Sequence, residues 1–157
     1  AAMDTSGEQM SAYDKGRMYY YLEEYQSAYL ALETAKDQGG AEAFLYLGKS
    51  YEATGDYNYA ASVYNNYLAK DTSDARIYNQ LGLCEMARGD YHAALSAFQS
   101  GMQIENNDVM QSLLFNEAVT YEYLHDYRQA LVLMESYLKT YPDDQVAKRE
   151  YDFLSTR

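Results

Sequence analysis

The chain has 157 residues, of which 12 are basic and 24 acidic, and its formal net charge is −12. A single cysteine excludes an internal disulfide framework and a cysteine-based zinc site, and the acidic excess disfavours binding to nucleic-acid phosphates or to anionic lipid. No apolar run is long enough to cross a bilayer. We therefore expect neither a nucleic-acid partner nor direct membrane insertion.

The first segment, residues 1–8, is small and polar and is predicted to be a tether rather than a helix. It has neither the basic region nor the apolar region of a secretory signal. The chain begins with Ala rather than Met, which fits both a trimmed chain and a mature protein whose signal or anchor has been removed. The compartment stays open between the cytoplasm and an extracytoplasmic location.

A pattern of small and aromatic residues recurs four times along the rest of the chain. An alanine recurs at intervals of 32, 34 and 36 residues, and a tyrosine lies three residues before each one. The four alanines are Ala28, Ala60, Ala94 and Ala130. This spacing predicts pairs of helices in which the second helix starts at the tyrosine. Two residues between the paired helices are expected to end the first helix and to cap the start of the second. These pairs are Gly55-Asp56, Gly89-Asp90 and His125-Asp126.

The small residues predict where the paired helices cross. The alanines lie on the second helix of each pair, and the first helix carries a small residue as well: Gly16, Gly48, Gly82 and Ala118. Small side chains at a crossing allow two backbones to approach closely. A two-helix unit cannot bury its apolar stripe alone, so neighbouring units must stack.

This combination resembles the tetratricopeptide repeat, a 34-residue helix–turn–helix unit. The resemblance implies an all-α, right-handed α-solenoid of nine helices in a single domain, residues 9–157. The predicted repeats are 9–40, 41–74, 75–108 and 111–144, followed by a capping helix at 145–157. The first repeat is two residues short near Gly39-Gly40, and the fourth has two extra residues near Val109-Met110.

In this family the first helices of stacked repeats line a concave groove, and the resemblance implies a set of groove residues here. They are Tyr13, Arg17, Tyr20, Leu45, Lys49, Glu52, Arg76, Asn79, Leu83, Met86, Phe115, Val119, Glu122 and Tyr123. Tyrosine and arginine are good anchors for a partner, although scattered surface tyrosines are an equal alternative. The Lys, Asn and Arg set with which some members hold a peptide's terminal carboxylate is not reproduced. An extended or helical peptide with apolar anchors is the expected ligand.

Motifs for catalysis, cofactors and metals do not emerge from the sequence. The segment Gly48-Lys49-Ser50 resembles the end of a phosphate-binding loop, but Ala43 stands where that loop needs glycine. The two histidines, His92 and His125, lie at predicted turns, and Cys84 falls mid-helix, where a buried and inert thiol is expected. We predict no enzyme, no cofactor and no metal site.

A long acidic stretch leaves two interpretations open. Residues 89–127 contain no Lys or Arg, which fits either a solvated acidic side or a surface that docks a basic partner. The predicted function is a non-enzymatic scaffold that binds a protein or peptide in its groove. The alternative is a structural module that assembles with itself, as a homo-oligomer, or within a larger complex.

Overall fold

The structure, a computed structural model, describes residues 10–157, which form eight helices and no strand. The predicted tether at residues 1–8 lies outside the described residues. The prediction of an all-α fold is confirmed. The helices are α1 (Ala12–Tyr21), α2 (Tyr25–Ala53), α3 (Tyr57–Leu68), α4 (Ala75–Ala87), α5 (Tyr91–Met102), α6 (Met110–Tyr123), α7 (Tyr127–Thr140) and α8 (Gln145–Leu154).

The chain divides into two compact units, with the boundary between Thr72 and Ser73. The first unit contains α1 to α3 and nearly all of the first two predicted repeats. The second contains α4 to α8, with the other two repeats and the capping helix. That residues 9–157 act as a single domain stays a prediction.

The turns inside the repeats are built as their residues predict. Asp56, Asp90 and Asp126 each cap the second helix of a pair, and each carboxylate accepts the backbone N–H three residues later at 3.1–3.2 Å. Gly55 and Gly89 have φ of 83° and 81°, the left-handed conformation that ends a helix. These local interactions fix where the first helix of each pair stops and the second begins.

Small residues mark the helix crossings, as predicted. The four repeated alanines are fully buried. Opposite them, each glycine of a first helix faces the large side chain four positions after the alanine: Gly16 faces Leu32, Gly48 faces Tyr64, and Gly82 faces Phe98. In the fourth repeat Ala118 and Met134 are both fully buried in one cluster. The paired helices therefore touch through a small residue on one side and a large one on the other.

The shortened first repeat leaves no loop before the second. Gly40 (φ 60°, ψ −148°) is the non-helical residue inside α2, and it separates the second helix of repeat one from the first helix of repeat two. The nine predicted helical segments consequently appear as eight elements. The two extra residues of repeat four fall where the link between α5 and α6 ends at Val109 and α6 begins at Met110. Asn106 in this link has φ 57°.

The capping helix α8 is held by a partly buried hydrogen-bond network at its start. Asp144 accepts the backbone N–H of Ala147 at 3.1 Å and the hydroxyl of Tyr137 at 2.5 Å. Ala147 and Leu154 are buried in the same cluster as Met134 of α7. The helix ends three residues before the predicted 157, and its docking places its other face beside α6 and α7.

Candidate functional site

Aromatic side chains of α1 and α2 gather on one surface of the first unit. Tyr13, Arg17 and Tyr20 follow a helical spacing along α1, and they meet Tyr46 of α2 together with Tyr21. We call these five residues the tyrosine cluster. The sequence predicted three of the five as groove residues.

The tyrosine cluster is held by edge-to-face rings and one shared cation. The Tyr20 and Tyr46 ring centroids are 5.3 Å apart, and the Arg17 guanidinium lies 5.4 Å from the centroid of Tyr13 and 5.7 Å from that of Tyr46. The Tyr21 and Tyr46 hydroxyls are 2.7 Å apart, and that hydrogen bond raises the pKa of Tyr21. Burial raises the pKa of Tyr20. The hydroxyls of Tyr20 and Tyr21 are therefore protonated, and able to donate, at neutral pH.

The other predicted groove residues of the first unit differ in their exposure. Leu45 is only 5% exposed and belongs to the core, so it presents almost no surface to a partner. Glu52 accepts the hydroxyl of Tyr64 at 2.6 Å, and Lys49 is half-buried. The open part of this surface is the tyrosine cluster.

A single open pocket in the second unit gathers all the groove residues predicted from repeat four. Its volume is about 670 Å³, and we call it the C-terminal pocket. It lies between α6, the starts of α5 and α7, and the capping helix. Its lining comprises Tyr91, Phe115, Val119, Glu122, Tyr123, His125, Tyr127, Val146, Glu150, Phe153 and Arg157.

The walls of the C-terminal pocket are mainly aromatic. Tyr91 and Tyr123 stack with centroids 5.1 Å apart and an interplanar angle of 26°, and Tyr123 is 52% exposed. On the capping helix, Val146 and Phe153 are also about half exposed. Nδ1 of His125 lies 2.9 Å from the Tyr127 hydroxyl, which orients that ring. The pocket thus offers apolar surface that water reaches from outside.

Three charged groups line the same pocket: Glu122 of α6, Glu150 of α8 and Arg157. Burial is the largest cause that raises the pKa of Glu122 to about 7, the neighbouring Glu150 carboxyl adds to the shift, and Arg157 acts against it. The Arg157 guanidinium lies 4.2 Å from the centroid of Phe153 and 5.2 Å from that of Tyr127. The pocket therefore combines two facing carboxyl groups with rings that already hold a cation.

The groove residues predicted from repeat three make contacts within the chain. Arg76 forms an ion pair with Asp74 at 2.7 Å. The amides of Asn79 and Asn116 are hydrogen-bonded at 2.9 Å, and Asn79 and Leu83 line a smaller cavity of about 360 Å³. The sulfur of Met86 accepts a hydrogen bond from the Thr120 hydroxyl at 3.6 Å. None of these four predicted residues lines the C-terminal pocket.

The contribution of the capping helix to the pocket was not predicted. Val146, Glu150, Phe153 and Arg157 form one side of it, and none of these four residues was among the predicted groove residues. A signal was present, because Val146 and Phe153 stand seven residues apart on a short helix that is otherwise rich in charge. That spacing places two apolar side chains on one helical face.

The rejected motifs occupy ordinary structural positions. Gly48 and Lys49 lie inside α2, and Cys84 is fully buried. Among residues 10–157, no three side chains of the types that bind metals converge. Within the same range, no helix combines the length and the apolar character needed to cross a bilayer.

The fold and the repeat pattern agree with known proteins. The structure is similar to the crystal structure of MamA, with a TM-score of 0.80 and 21% identity over 91% of this chain and 78% of that one. A sequence profile described as the tetratricopeptide repeat matches residues 42–73 and 112–144. The chain contains tetratricopeptide repeats.

Two further tetratricopeptide-repeat structures are similar to this one, and each is described with a peptide-binding site or a bound peptide. YrrB, described as having an unusual peptide-binding site, has a TM-score of 0.78 and 22% identity over 90% of this chain and 73% of its own. The second such domain of human RPAP3, in complex with the HSP70 peptide SGPTIEEVD, has a TM-score of 0.63 and 15% identity over 70% of this chain and 90% of its own. No curated protein matches this chain in sequence.

Proposed function

We propose that the chain is a non-enzymatic protein-interaction scaffold whose C-terminal pocket binds a peptide or helical segment of a partner. One observation carries the proposal. Phe115, Val119, Glu122 and Tyr123, on one face of α6, meet exposed apolar side chains of the capping helix, such as Phe153, around one open pocket. Exposed apolar surface of this kind is unfavourable in water and typical of interaction sites.

The size and lining of the pocket suit a few peptide side chains. Its volume of about 670 Å³ lies within the roughly 300–1,000 Å³ of common ligand sites. Aromatic and arginine side chains such as Tyr123, Phe153 and Arg157 are the types that anchor binding energy at interfaces. Peptide binding by YrrB and RPAP3 supports this use of the fold.

Peptide display tests the proposal without a known partner. A random 12-residue library is selected on the chain, and the enriched peptides are measured against Tyr123→Ala and Phe153→Ala, two exposed walls of the pocket. Val132→Ala is the matched control, because Val132 is 53% exposed on α7 and does not line the pocket. We expect binding at least tenfold weaker in both pocket variants and unchanged in the control. Peptides that bind the wild type, both pocket variants and the control equally would place the binding surface elsewhere.

Self-assembly is the second candidate, and a different surface favours it. Met18, Tyr21 and Leu22 at the end of α1 are 38%, 67% and 60% exposed, and Tyr21 belongs to the tyrosine cluster. Together they form an apolar edge that a second copy could cover. Light scattering across a concentration range, with Leu22→Ser as the variant, measures this directly. A monomer at the highest concentration removes this candidate.

A further inference from the structure

The C-terminal pocket brings a carboxyl pair and aromatic walls together, and this combination specifies a ligand chemistry. We infer that the peptide bound there, on the function proposed above, carries a lysine or arginine side chain whose cation pairs with Glu122 and Glu150 and lies against the aromatic wall. The same proposal assigns the apolar flanks of the peptide to Phe115 and Phe153.

Among the described residues, neither Glu122 nor Glu150 forms an ion pair, and Arg157 of the same pocket lies over aromatic rings instead. Across residues 10–157, no basic nitrogen lies within ion-pair distance of Glu122 or Glu150, and Oε2 of Glu122 is screened from water with the Glu150 carboxyl as its neighbour. A carboxylate oxygen that faces a second carboxyl group away from water is costly to ionise, and a cationic donor lowers that cost. A ligand ammonium or guanidinium would supply the partner that the fold leaves out.

The aromatic wall is suited to a cation, and the chain itself shows this. The Arg157 guanidinium lies over Phe153 and Tyr127 at the edge of the pocket. Within the described range, the stacked pair Tyr91 and Tyr123 on the other wall holds no such cation. A ring face attracts a cation through its quadrupole, so the uncovered pair can receive the ligand's charge beside the carboxyl groups.

The surrounding charge favours the same ligand. The segment from 89 to 127, which supplies Tyr91, Glu122 and Tyr123, contains no Lys or Arg, and the whole chain has a net charge of −12. The cation that faces the carboxyl pair is Arg157, and His125 also lines the pocket. An acidic field of this kind speeds the approach of a basic segment and weakens with added salt.

Protonation of Glu122 gives binding a defined pH dependence. The pKa of Glu122, raised to about 7, leaves this carboxyl partly protonated near neutral pH, and a bound cation favours its ionised form. Glu150, His125 and Arg157 also line the pocket with charged or titratable groups. Lowering the pH protonates Glu122 and removes the charge that attracts the ligand. Binding is therefore tighter at pH 8 than at pH 5.5.

The experiment uses the peptides enriched by display on the whole chain. Each is resynthesised with its Lys or Arg replaced by norleucine, and both forms are titrated against wild type, the double variant Glu122→Gln/Glu150→Gln and the control Glu135→Gln. Glu135 is exposed on α7 and lies outside the pocket. We expect norleucine to weaken binding to wild type and to the control at least tenfold, and to the double variant less than twofold. Thermal unfolding of each variant verifies that the fold is intact.

The outcomes separate this inference from the proposed function. Peptides that depend on Tyr123 and Phe153 but contain no cation, or that bind the double variant as tightly as wild type, would overturn the inference and leave the function standing. Failure to obtain any pocket-dependent peptide would defeat both. A dimer with Tyr123 protected at its interface would assign the pocket to a second copy and also overturn the inference.

Discussion

A methyl group on the α-carbon of Gly48 would lie 2.2 Å from Cζ of Tyr64. That distance is far inside van der Waals contact, so the crossing of α2 and α3 leaves no room for a side chain at position 48. Gly82 and Phe98 repeat the relationship at 2.3 Å in the second unit. The spacing of small and large residues along the sequence therefore indicates which residues contact each other where two helices cross.

Gly48→Ala tests that relationship. Alanine favours a helix by about 1 kcal/mol over glycine, but overpacking against a buried ring costs about 1–3 kcal/mol, so we expect a net loss of stability. The fourth repeat carries Ala118 and Met134 at the corresponding positions. Tyr64→Met should therefore restore part of the loss in the double variant. The free energy of unfolding from urea titration measures both effects, and additive losses would contradict the proposed contact.

Glu23→Gly should stabilise the first unit. Glu23 has φ 60° at the end of α1, the place that Gly55 (φ 83°) fills after α2. A side chain in the left-handed region is strained, so removing it gains about 0.5–1 kcal/mol. Gly55→Ala is the reciprocal control and should lose about 1 kcal/mol, since space is open there and only the backbone angle opposes the change. Equal stability in all three proteins would show that the turn angle carries no strain.

Asp144→Ala should weaken the docking of the capping helix. Asp144 caps α8 and accepts the hydroxyl of Tyr137, which is 4% exposed. Loss of the cap, and of the carboxylate that accepts the hydroxyl of the buried Tyr137, together costs about 2 kcal/mol. Its exposed neighbour Asp143 is the control, and Asp143→Ala should change little. Hydrogen exchange at the amides of α8 measures the effect locally, and unchanged protection would show that the network does not hold the helix.

Glu122→Gln should remove one component of the pH dependence of stability. The folded-state pKa of Glu122 is raised to about 7 from an ordinary value of about 4.3, so the folded chain binds this proton more tightly than the unfolded chain. The contribution of Glu122 to the stability of wild type therefore falls as pH rises from about 4 to 7. Allowing for solvent screening, the variant should be more stable than wild type by about 1 kcal/mol at pH 8. The difference should shrink toward pH 4, and a constant difference would contradict the shift.

Most of the repeat architecture was predictable because it depends on local spacing. The caps at Asp56, Asp90 and Asp126 and the crossings at Gly48 and Gly82 follow from residues close together in sequence. The left-handed angles at His125 and at Glu23, which follows α1, carry no such signal, since glycine is absent there and only the surrounding turn imposes the angle.

The candidate surfaces were only partly predictable because they depend on distant residues. The positions of Phe115 and Tyr123 follow from the register of α6. Leu45 shares that register in α2 yet is buried, because burial depends on what packs against a helix. Phe153 and Arg157 join the pocket through the docking of a separate helix, which spacing within a repeat does not encode.

Chemical-shift mapping of a display-selected peptide on the isotope-labelled chain tests the central claim most directly. If the C-terminal pocket is the binding site, the largest shifts fall on Phe115, Val119, Tyr123 and Phe153, and resonances of the tyrosine cluster around Tyr46 stay in place. Shifts confined to the tyrosine cluster, or to helix faces away from the C-terminal pocket, would contradict the account.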